Sequence, residues 1–300
     1  MSFITGTTDF HYAGEIFKTW YKVVGSLDGT QRPLIALHGG PGMSHDYILP
    51  HSRLYELYGI PVIFYDQIGI GKSTHLPNKP KEFWTSELFM DELENLLQSL
   101  GVSSDFDLLG CSWGGMLGVE WAAQRHPKGL KKLLLIGTPA SMELWVESQN
   151  KLLQGLDKDV QEALTKHEQA GTTHDPEYEA GMELFYKKHA NRLETWPEEL
   201  LKSVASTAED PTVYHTMNGP SEFCITGSIK TWSVIDLLER VDYTTLITNS
   251  EYDMAQDIAV LPFFKRLAKV KWVKFHNASH HPFWEIPEEY FKVTGEFLIM

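Results

Sequence analysis

The sequence contains little cysteine, no long hydrophobic run and no excess of basic charge, and each of these absences excludes a class of protein. Its 300 residues include only two cysteines, Cys111 and Cys224, so we expect reduced thiols and a cytoplasmic location rather than a disulfide-stabilised secreted protein. No apolar run approaches a membrane span, and the chain starts without a basic stretch followed by an apolar one, so we predict neither membrane association nor a secretory signal. The formal net charge of −14 disfavours nucleic acid and anionic membrane surfaces as partners.

Short apolar runs recur along the chain, and each ends in a loop of glycine or polar residues. The runs lie at 34–37, 62–65, 108–109, 133–136, 245–248 and 270–275. Helical patterns lie between them, for example the apolar stripe from Phe89 to Leu100 that ends at Gly101. Continuous apolar strands that alternate with helices predict an α/β protein with a doubly wound, mostly parallel sheet, whose ligands bind at the carboxyl ends of the strands.

The strand pattern is interrupted in the middle of the chain. From about residue 141 to residue 224, charged helical segments that contain Trp and Tyr replace the apolar runs, and the sheet pattern resumes afterwards. Because the sheet resumes, we interpret 141–224 as a helical cap inserted into a core formed by 1–140 and 225–300. The alternative is an independent helical domain in tandem with the sheet.

A Gly-x-Ser-x-Gly motif, Gly110-Cys111-Ser112-Trp113-Gly114, follows one apolar run and precedes a helical pattern. A serine on such a sharp strand-to-helix turn is held in a strained conformation that exposes its hydroxyl, and the glycines avoid collisions with neighbouring chain. The new helix also directs free N–H groups at the position where an oxyanion forms. Ser112 is therefore the candidate nucleophile, and Cys111 is a weaker one because the turn exposes the central residue of the motif.

A serine hydroxyl needs a base that accepts its proton and a carboxylate that orients the base. The loops after two late apolar runs supply candidates in the chain order serine, acid, histidine that α/β-hydrolases use. Asp253 follows the run at 245–248, and Glu251 and Asp257 are nearby alternatives. We therefore take Asp253 as the candidate orienting acid.

The candidate base lies in the loop after the last apolar run. His280 is the first choice there, with His276 and His281 as alternatives. His276 and His280 are four residues apart, which could hold a metal ion on a helix, but no His-Glu-x-x-His pattern accompanies them and Pro282 follows closely. We therefore predict no metal and no other cofactor. His189 is interpreted as a surface residue.

Together these residues resemble the proline iminopeptidase family of α/β-hydrolases over nearly the whole chain. The matching segments are HGGPGMSHDY (38–47), FYDQIGIGKS (64–73), GCSWGG (110–115), MNGPSEF (217–223), ITGSIKTW (225–232), LITNSEYD (246–253) and SHHPFWEIPEEY (279–290). The resemblance implies the α/β-hydrolase fold, with Ser112 as nucleophile, Asp253 as orienting acid and His280 rather than His281 as base.

The glycine-rich loop His38–Gly42 is expected to complete the oxyanion site, because glycines let a main-chain N–H approach the carbonyl oxygen of the substrate. The resemblance implies that the two donors are the main-chain N–H groups of Gly40 and Trp113. The family has serine followed by tyrosine at the turn, whereas this chain has Ser112 followed by Trp113. We therefore expect the indole to form a bulkier pocket wall.

The resemblance also implies that acidic side chains near the cap bind the free α-amine of the substrate. Glu222 matches one of them, but the second directly follows the catalytic aspartate, where this chain has Met254. We expect a serine exopeptidase that releases N-terminal proline or another residue from a short peptide or similar small molecule. The alternatives are an esterase, lactonase or amidase for a substrate without a free amine, and a non-catalytic receptor on a hydrolase fold.

Overall fold

The computed structural model describes residues 2–300, which contain an eight-stranded sheet. Its strands are β1 Phe3–Tyr12, β2 Glu15–Val24, β3 Leu34–Leu37, β4 Val62–Tyr65, β5 Phe106–Cys111, β6 Leu130–Ile136, β7 Thr244–Ser250 and β8 Val270–Phe275. The order across the sheet is β1-β2-β4-β3-β5-β6-β7-β8. β2 pairs antiparallel with β1 and β4, and all other neighbours are parallel. This topology confirms the predicted doubly wound, mostly parallel sheet.

The central strands are apolar on both faces. Every residue of β3, β4 and β5 is buried, as expected for parallel strands that helices cover on both sides. Ile35 and Leu37 belong to one hydrophobic cluster, whereas Leu34 and Ala36 belong to the other, because successive side chains of a strand point to opposite faces. The sheet therefore separates two cores.

The antiparallel hairpin of β1 and β2 is the main element that the sequence pattern did not predict. β1 is the edge strand, and most of its side chains are exposed or half-buried. An edge strand with one solvated side needs no continuous apolar run. The search for apolar runs therefore found only the six strands of the parallel core, β3 to β8.

Helices cover both faces of the sheet. Within residues 2–300 the α-helices are α1 Arg53–Tyr58, α2 Ser86–Ser99, α3 Trp113–Arg125, α4 Met142–Leu153, α5 Lys158–Ala170, α6 Pro176–His189, α7 Glu198–Glu209, α8 Thr212–Met217, α9 Asp257–Arg266, α10 Pro282–Glu285 and α11 Pro287–Ile299. Short 3-10 helices occur at His45–Ser52, Lys81–Phe83, Ser228–Thr231 and Ile235–Arg240. None of the helices in this range is long and apolar enough to cross a bilayer.

Helix α2 forms where the sequence pattern predicts it. The Oγ1 atom of Thr85 accepts a hydrogen bond from the N–H of Leu88 at 3.2 Å, which satisfies one of the unpaired donors of the first turn. Phe89 and Leu93 are fully buried on the inward face. Gly101, with φ of 70°, follows the helix in the left-handed region that glycine adopts without strain.

Helices α4 to α8 connect β6 to β7, and we call residues 142–217 the helical segment. Two hydroxyl groups of α7 attach the helical segment to the loop after β3. The Ser203 hydroxyl accepts from the N–H of Ser44 at 3.1 Å and donates to the Ser44 carbonyl at 3.0 Å. The Thr207 hydroxyl donates to the carbonyl of Gly42 at 2.8 Å. The segment is therefore anchored directly beside the glycine-rich loop.

The helical segment also shares a hydrophobic core with the sheet. Leu164, Tyr178 and Phe185 belong to the same buried cluster as residues of α2 and α3. The predicted boundaries near residues 140 and 224 lie close to the ends of the segment, and the division of the chain into a core and a cap domain remains a prediction.

Replacing Ser203 by Ala tests this anchor. The change removes both partners of the Ser44 main chain, so we expect a loss of about 1–3 kcal/mol in the free energy of unfolding. Denaturant unfolding measures this loss. Ser206→Ala is the matched control, because Ser206 lies on the same helix and its hydroxyl makes no hydrogen bond within residues 2–300. Equal stability of the two variants would contradict the anchor.

Candidate active site

Ser112 lies at the turn between β5 and α3, in a backbone conformation that a non-glycine residue adopts only under strain. Its φ is 54° and its ψ is −120°, an arrangement that costs about 1–3 kcal/mol. The surrounding main chain holds it there. The Ser112 N–H donates to the carbonyl of Ile136 at 2.8 Å, and the Ser112 carbonyl accepts from the N–H groups of Gly115 and Met116.

Three glycines permit the close packing around this turn. A Cβ atom on Gly110 would lie 2.4 Å from the carbonyl carbon of Gly114, and one on Gly114 would lie 2.3 Å from the carbonyl oxygen of Leu37. A Cβ atom on Gly137, at the end of β6, would lie 2.7 Å from Nδ1 of His280. These distances are too short for any side chain, so the glycines are required for the close approach of the chain segments.

Asp253 and His280 lie in the loops after β7 and β8, two adjacent parallel strands, and both are buried. Nδ1 of His280 lies 2.6 Å from Oδ1 of Asp253, which also accepts the N–H of Ala255 at 2.8 Å. A carboxylate accepts hydrogen bonds, so Nδ1 carries the proton of the neutral imidazole and Nε2 keeps its lone pair.

The alternative acids and histidines have other partners or positions. Asp257 forms an ion pair with Lys274 at 2.8 Å. Glu251 and His276 are exposed and lie 3.9 Å apart. His281 is buried, and burial lowers its pKa well below the usual value, so its imidazole is neutral. The structure therefore brings together Asp253 and His280, but neither of the alternative acids with a buried histidine.

The loop that carries His280 is held by Glu285 and His189, for which the sequence analysis predicted no such role. Glu285 accepts the N–H of Ser279 at 2.6 Å, the Ser279 hydroxyl at 2.9 Å and the N–H of Arg192 at 2.6 Å. The carbonyl of His189 accepts the N–H of His280 at 3.2 Å. The expectation that His189 lies at the surface is wrong, because the end of α6 packs against this loop and buries it.

The charge of Asp253 controls the protonation of His280. Burial alone would lower the pKa of His280, because removal of water disfavours the imidazolium. The charge of Asp253 and the hydrogen bond to it outweigh burial, with smaller contributions from Glu222 and Glu285, and raise this pKa above its usual value of 6.5. Burial raises the pKa of the neighbouring Cys111 thiol to about 12, which disfavours a thiolate nucleophile.

Ser112 and His280 line the same cavity, whose volume is about 490 Å³. Neither the Ser112 hydroxyl nor Nε2 of His280 makes a hydrogen bond to any of residues 2–300, so both face the cavity without a protein partner. Such contacts often tighten only when substrate is bound. Most of the remaining wall is apolar and includes Met43, Met182, Trp196, Leu200, Val204, Pro211 and Pro220.

The expected oxyanion donors lie on two segments that meet beside Ser112. Gly40 lines the cavity, and a Cβ atom on the preceding Gly39 would lie 3.2 Å from Cβ of Ser112. The N–H of Trp113 belongs to the first turn of α3, where no helical acceptor exists. Within residues 2–300, neither N–H group donates a hydrogen bond.

The expectation that the Trp113 side chain forms a pocket wall is wrong. Its indole is only 1% exposed, and it is absent from the residues that line the cavity. The ring turns away from the cavity because Nε1 donates to Oε1 of Gln67 at 2.9 Å and Phe89 packs against the ring. The indole therefore supports the turn rather than selecting substrates.

Glu222 lines the cavity together with Ser112 and His280. Its Oε1 atom accepts the hydroxyl of Tyr214 at 2.7 Å, and its N–H donates to the hydroxyl of Tyr186 at 3.2 Å. Burial raises the pKa of Glu222, although the bond from Tyr214 opposes this shift. A carboxylate that is short of water gains most from a cationic partner.

Met254 occupies the position of the family's second acidic residue, and it is buried in the cavity wall. Its side chain carries no charge. Its carbonyl accepts the hydroxyl of Ser148 at 2.5 Å and Nε2 of Gln149 at 2.9 Å, both from α4. The cavity thus has one deep carboxylate, Glu222, beside the Asp253–His280 pair, while Glu179 is exposed at its rim.

The histidines that the sequence analysis considered for a metal ion do not converge, since His276 is exposed and His280 is bonded to Asp253. Elsewhere, His167 on α5, Asp175 directly before α6 and Glu177 on α6 lie close together. Glu177 there already bonds His167 at 3.0 Å and Lys166 at 2.7 Å. This cluster links two helices through protein ion pairs.

The fold is that of an α/β hydrolase. The family model for the alpha/beta hydrolase fold matches residues 32–287. A proline iminopeptidase of Thermoplasma volcanium is 36% identical over 280 residues, which cover 93% of this chain and 92% of the relative. The chain belongs to the proline iminopeptidase family, which confirms the resemblance inferred from the motifs, and it is a hydrolase.

Two solved structures are similar over almost their full length. A proline iminopeptidase of Mycobacterium smegmatis is 40% identical, with a TM-score of 0.89 and coverage of 98% of this chain and 97% of that one. The crystal structure of VinJ is 42% identical, with a TM-score of 0.94 and coverage of 98% of both chains.

The pKa of His280, followed by NMR of its imidazole protons, tests the electrostatic description of the site. We expect a value above 6.5 in the parent and a lower value in Asp253→Asn, because loss of the anion destabilises the imidazolium. Asp257→Asn is the matched control, since this carboxylate pairs with Lys274 and its removal should leave the titration of His280 nearly unchanged. An unchanged value in Asp253→Asn would refute the assignment.

Proposed function

We propose that this protein is a serine hydrolase that acts through an acyl-enzyme and releases proline or another residue from the N-terminus of short peptides. One observation carries the proposal. The bond from Nδ1 of His280 to Asp253 leaves Nε2 free in the cavity that Ser112 also lines. Family membership supports peptides as the substrate class.

In the first half of the reaction, His280 acts as general base. Nε2 takes the proton of the Ser112 hydroxyl while Oγ forms a bond to the carbonyl carbon of the substrate, whose oxygen becomes an oxyanion. When this tetrahedral intermediate collapses, the bond from carbon to the leaving nitrogen breaks. The imidazolium of His280 then gives its proton to that nitrogen, so a neutral amine departs and an ester with Ser112 remains.

In the second half, water replaces the amine. His280 removes a proton from the water molecule as its oxygen attacks the ester carbon, and then returns that proton to Oγ of Ser112 when the ester bond breaks. The products are the free N-terminal amino acid and the restored serine. The N–H groups of Gly40 and Trp113 are proposed to bind the oxyanion in both halves, since they have no other acceptor within residues 2–300.

Glu222 is proposed to bind the α-ammonium group of the substrate. Its carboxylate lines the cavity near His280, whose pKa it helps to raise. The apolar wall opposite would accept the ring of proline and other uncharged parts of the substrate. The cytoplasmic location remains a prediction, which rests on the two free cysteines.

A second candidate function follows from Met254. With one carboxylate instead of two, the site has less charge to attract an amine, which favours an esterase, lactonase or amidase for a small molecule without a free amine. A substrate panel that compares aminoacyl-naphthylamides with esters and lactones separates the two candidates. Greater turnover of prolyl-naphthylamide after Met254→Glu would support the second one.

Replacing Ser112 by Ala tests the nucleophile. We expect kcat for prolyl-naphthylamide to fall by roughly 10⁴-fold or more, because removal of a nucleophile abolishes the covalent route. Steady-state assays on folded protein measure this loss. Cys111→Ala is the control, because the buried Cys111 thiol is protonated and its loss should leave activity close to that of the parent. Comparable activity of Ser112→Ala and the parent would disprove the acyl-enzyme route.

Replacing Glu222 by Gln tests amine recognition. Loss of a charge-assisted contact of about 1.5–3 kcal/mol should raise KM for prolyl-naphthylamide by roughly 10- to 100-fold, while KM for p-nitrophenyl acetate changes little. Glu179→Gln is the matched control, because Glu179 also lines the cavity but is exposed at its rim. Equal changes for both substrates would rule out amine binding by Glu222 and favour the second candidate function.

A further inference from the structure

We propose that Gln67 is a positioning residue that fixes the positions of the two proposed oxyanion donors relative to each other. The inference rests on the proposed function, because it concerns the N–H groups of Gly40 and Trp113. Within residues 2–300, Gln67 makes no hydrogen bond to Ser112, and it is absent from the residues that line the cavity. It follows β4, a third strand, and its side chain joins the segments that carry the two donors.

Gln67 is buried, and its two side-chain polar atoms and its main-chain N–H are paired with these two segments. Its Oε1 atom accepts the indole N–H of Trp113 at 2.9 Å. Its Nε2 atom donates to the carbonyl of His38 at 3.3 Å, and its main-chain N–H donates to Nε2 of the His38 ring at 3.0 Å. A single amide therefore connects the loop after β3 with the turn after β5.

His38 links Gln67 to the glycine-rich loop through hydrogen bonds at both nitrogens of its ring. Because its Nε2 atom accepts from Gln67, the ring proton lies on Nδ1, which donates to the carbonyl of Gly39 at 3.0 Å. Burial lowers the pKa of His38 to about 4, so this neutral tautomer persists at neutral pH. The carbonyl of the residue directly before Gly40 is thus fixed by a ring that Gln67 orients.

Trp113 links Gln67 to the turn at Ser112. Its N–H is the first of α3, and it follows the strained residue Ser112. With Gln67 removed, the buried indole N–H would lose its acceptor, and the ring would have to move or remain unsatisfied. Any rotation of the first turn of α3 that restored a partner would also move the main-chain donor.

The main chain around Gln67 is itself rigidly held. The carboxylate of Asp66 accepts the N–H groups of His45 and Lys72 at 2.8 and 2.9 Å. On the other side, the carboxyl group of Glu92 accepts the N–H of Ile68 at 3.0 Å. Two buried carboxyl groups thus hold the residues before and after Gln67, which fixes the main chain from which its side chain reaches both segments.

The experiment replaces Gln67 by Met, which keeps the length of the side chain and removes its two side-chain hydrogen bonds, to Trp113 and to the carbonyl of His38. The main-chain N–H that donates to the His38 ring is unchanged. Removal or misplacement of oxyanion donors acts on the transition state, so we expect kcat for prolyl-naphthylamide to fall roughly 10- to 100-fold with KM little changed. L-Prolinal forms a tetrahedral adduct with a serine, so its affinity should fall by the same factor as kcat/KM. The affinity for L-proline, which forms no such adduct, should stay the same.

Trp113→Phe provides a second route if Gln67→Met folds poorly, because it removes the indole donor and keeps a smaller aromatic ring at this position. The two changes should be non-additive, with the double variant losing little more kcat than either single variant, since both break one connection. Tyr65→Phe is the matched control. Tyr65 ends β4, and its buried hydroxyl has no hydrogen-bond partner within residues 2–300, so kcat should not change.

The outcomes separate this inference from the function on which it rests. If Ser112→Ala retains the turnover of the parent, the proposed function is wrong and the inference fails with it. If turnover depends on Ser112 but Gln67→Met and Trp113→Phe keep the kcat and prolinal affinity of the parent, only the positioning role is refuted. A loss that appears in KM, or equally in the affinities for L-proline and L-prolinal, would also refute it.

Discussion

The hydrogen bond between Nδ1 of His280 and Oδ1 of Asp253 is the interaction on which the site depends. It fixes the tautomer of the imidazole, favours the imidazolium and directs Nε2 into the cavity that contains Ser112. Glu285 and the end of α6 hold the His280 loop from outside, and Gly137 leaves room for the ring. These contacts therefore all help to fix the position of Nε2 of His280.

The sequence predicts the parallel sheet, and it also predicts that the candidate site residues lie close together, because both follow from strand ends. Asp253 and His280 each come directly after a buried apolar run, and parallel strands place such positions at one edge of the sheet. The strained turn at Ser112 was predictable because its glycines are local in sequence. Local sequence patterns identified the candidate residues, whereas the hydrogen-bond partners of these residues became known only from the tertiary structure.

The residues that sequence analysis missed depend on contacts between distant segments. Gln67 and Glu285 are polar residues in loops, where nothing local shows that they are buried and bonded. The predicted orientation of the Trp113 ring was wrong for the same reason, since Gln67, which accepts its indole N–H, lies 46 residues earlier in the chain. The β1–β2 hairpin was not predicted because a solvated edge strand contains no continuous apolar run.

The proposed chemistry predicts a specific covalent adduct, and an active-site probe tests it most directly. A fluorophosphonate reacts with a serine that a nearby base activates, and mass spectrometry of the intact protein followed by peptide mapping locates the label. The account predicts one adduct per chain, on Ser112, and none after the Asp253–His280 pair is broken by His280→Ala. Labelling at another residue, or an unmodified Ser112 in protein that still hydrolyses prolyl-naphthylamide, would contradict it.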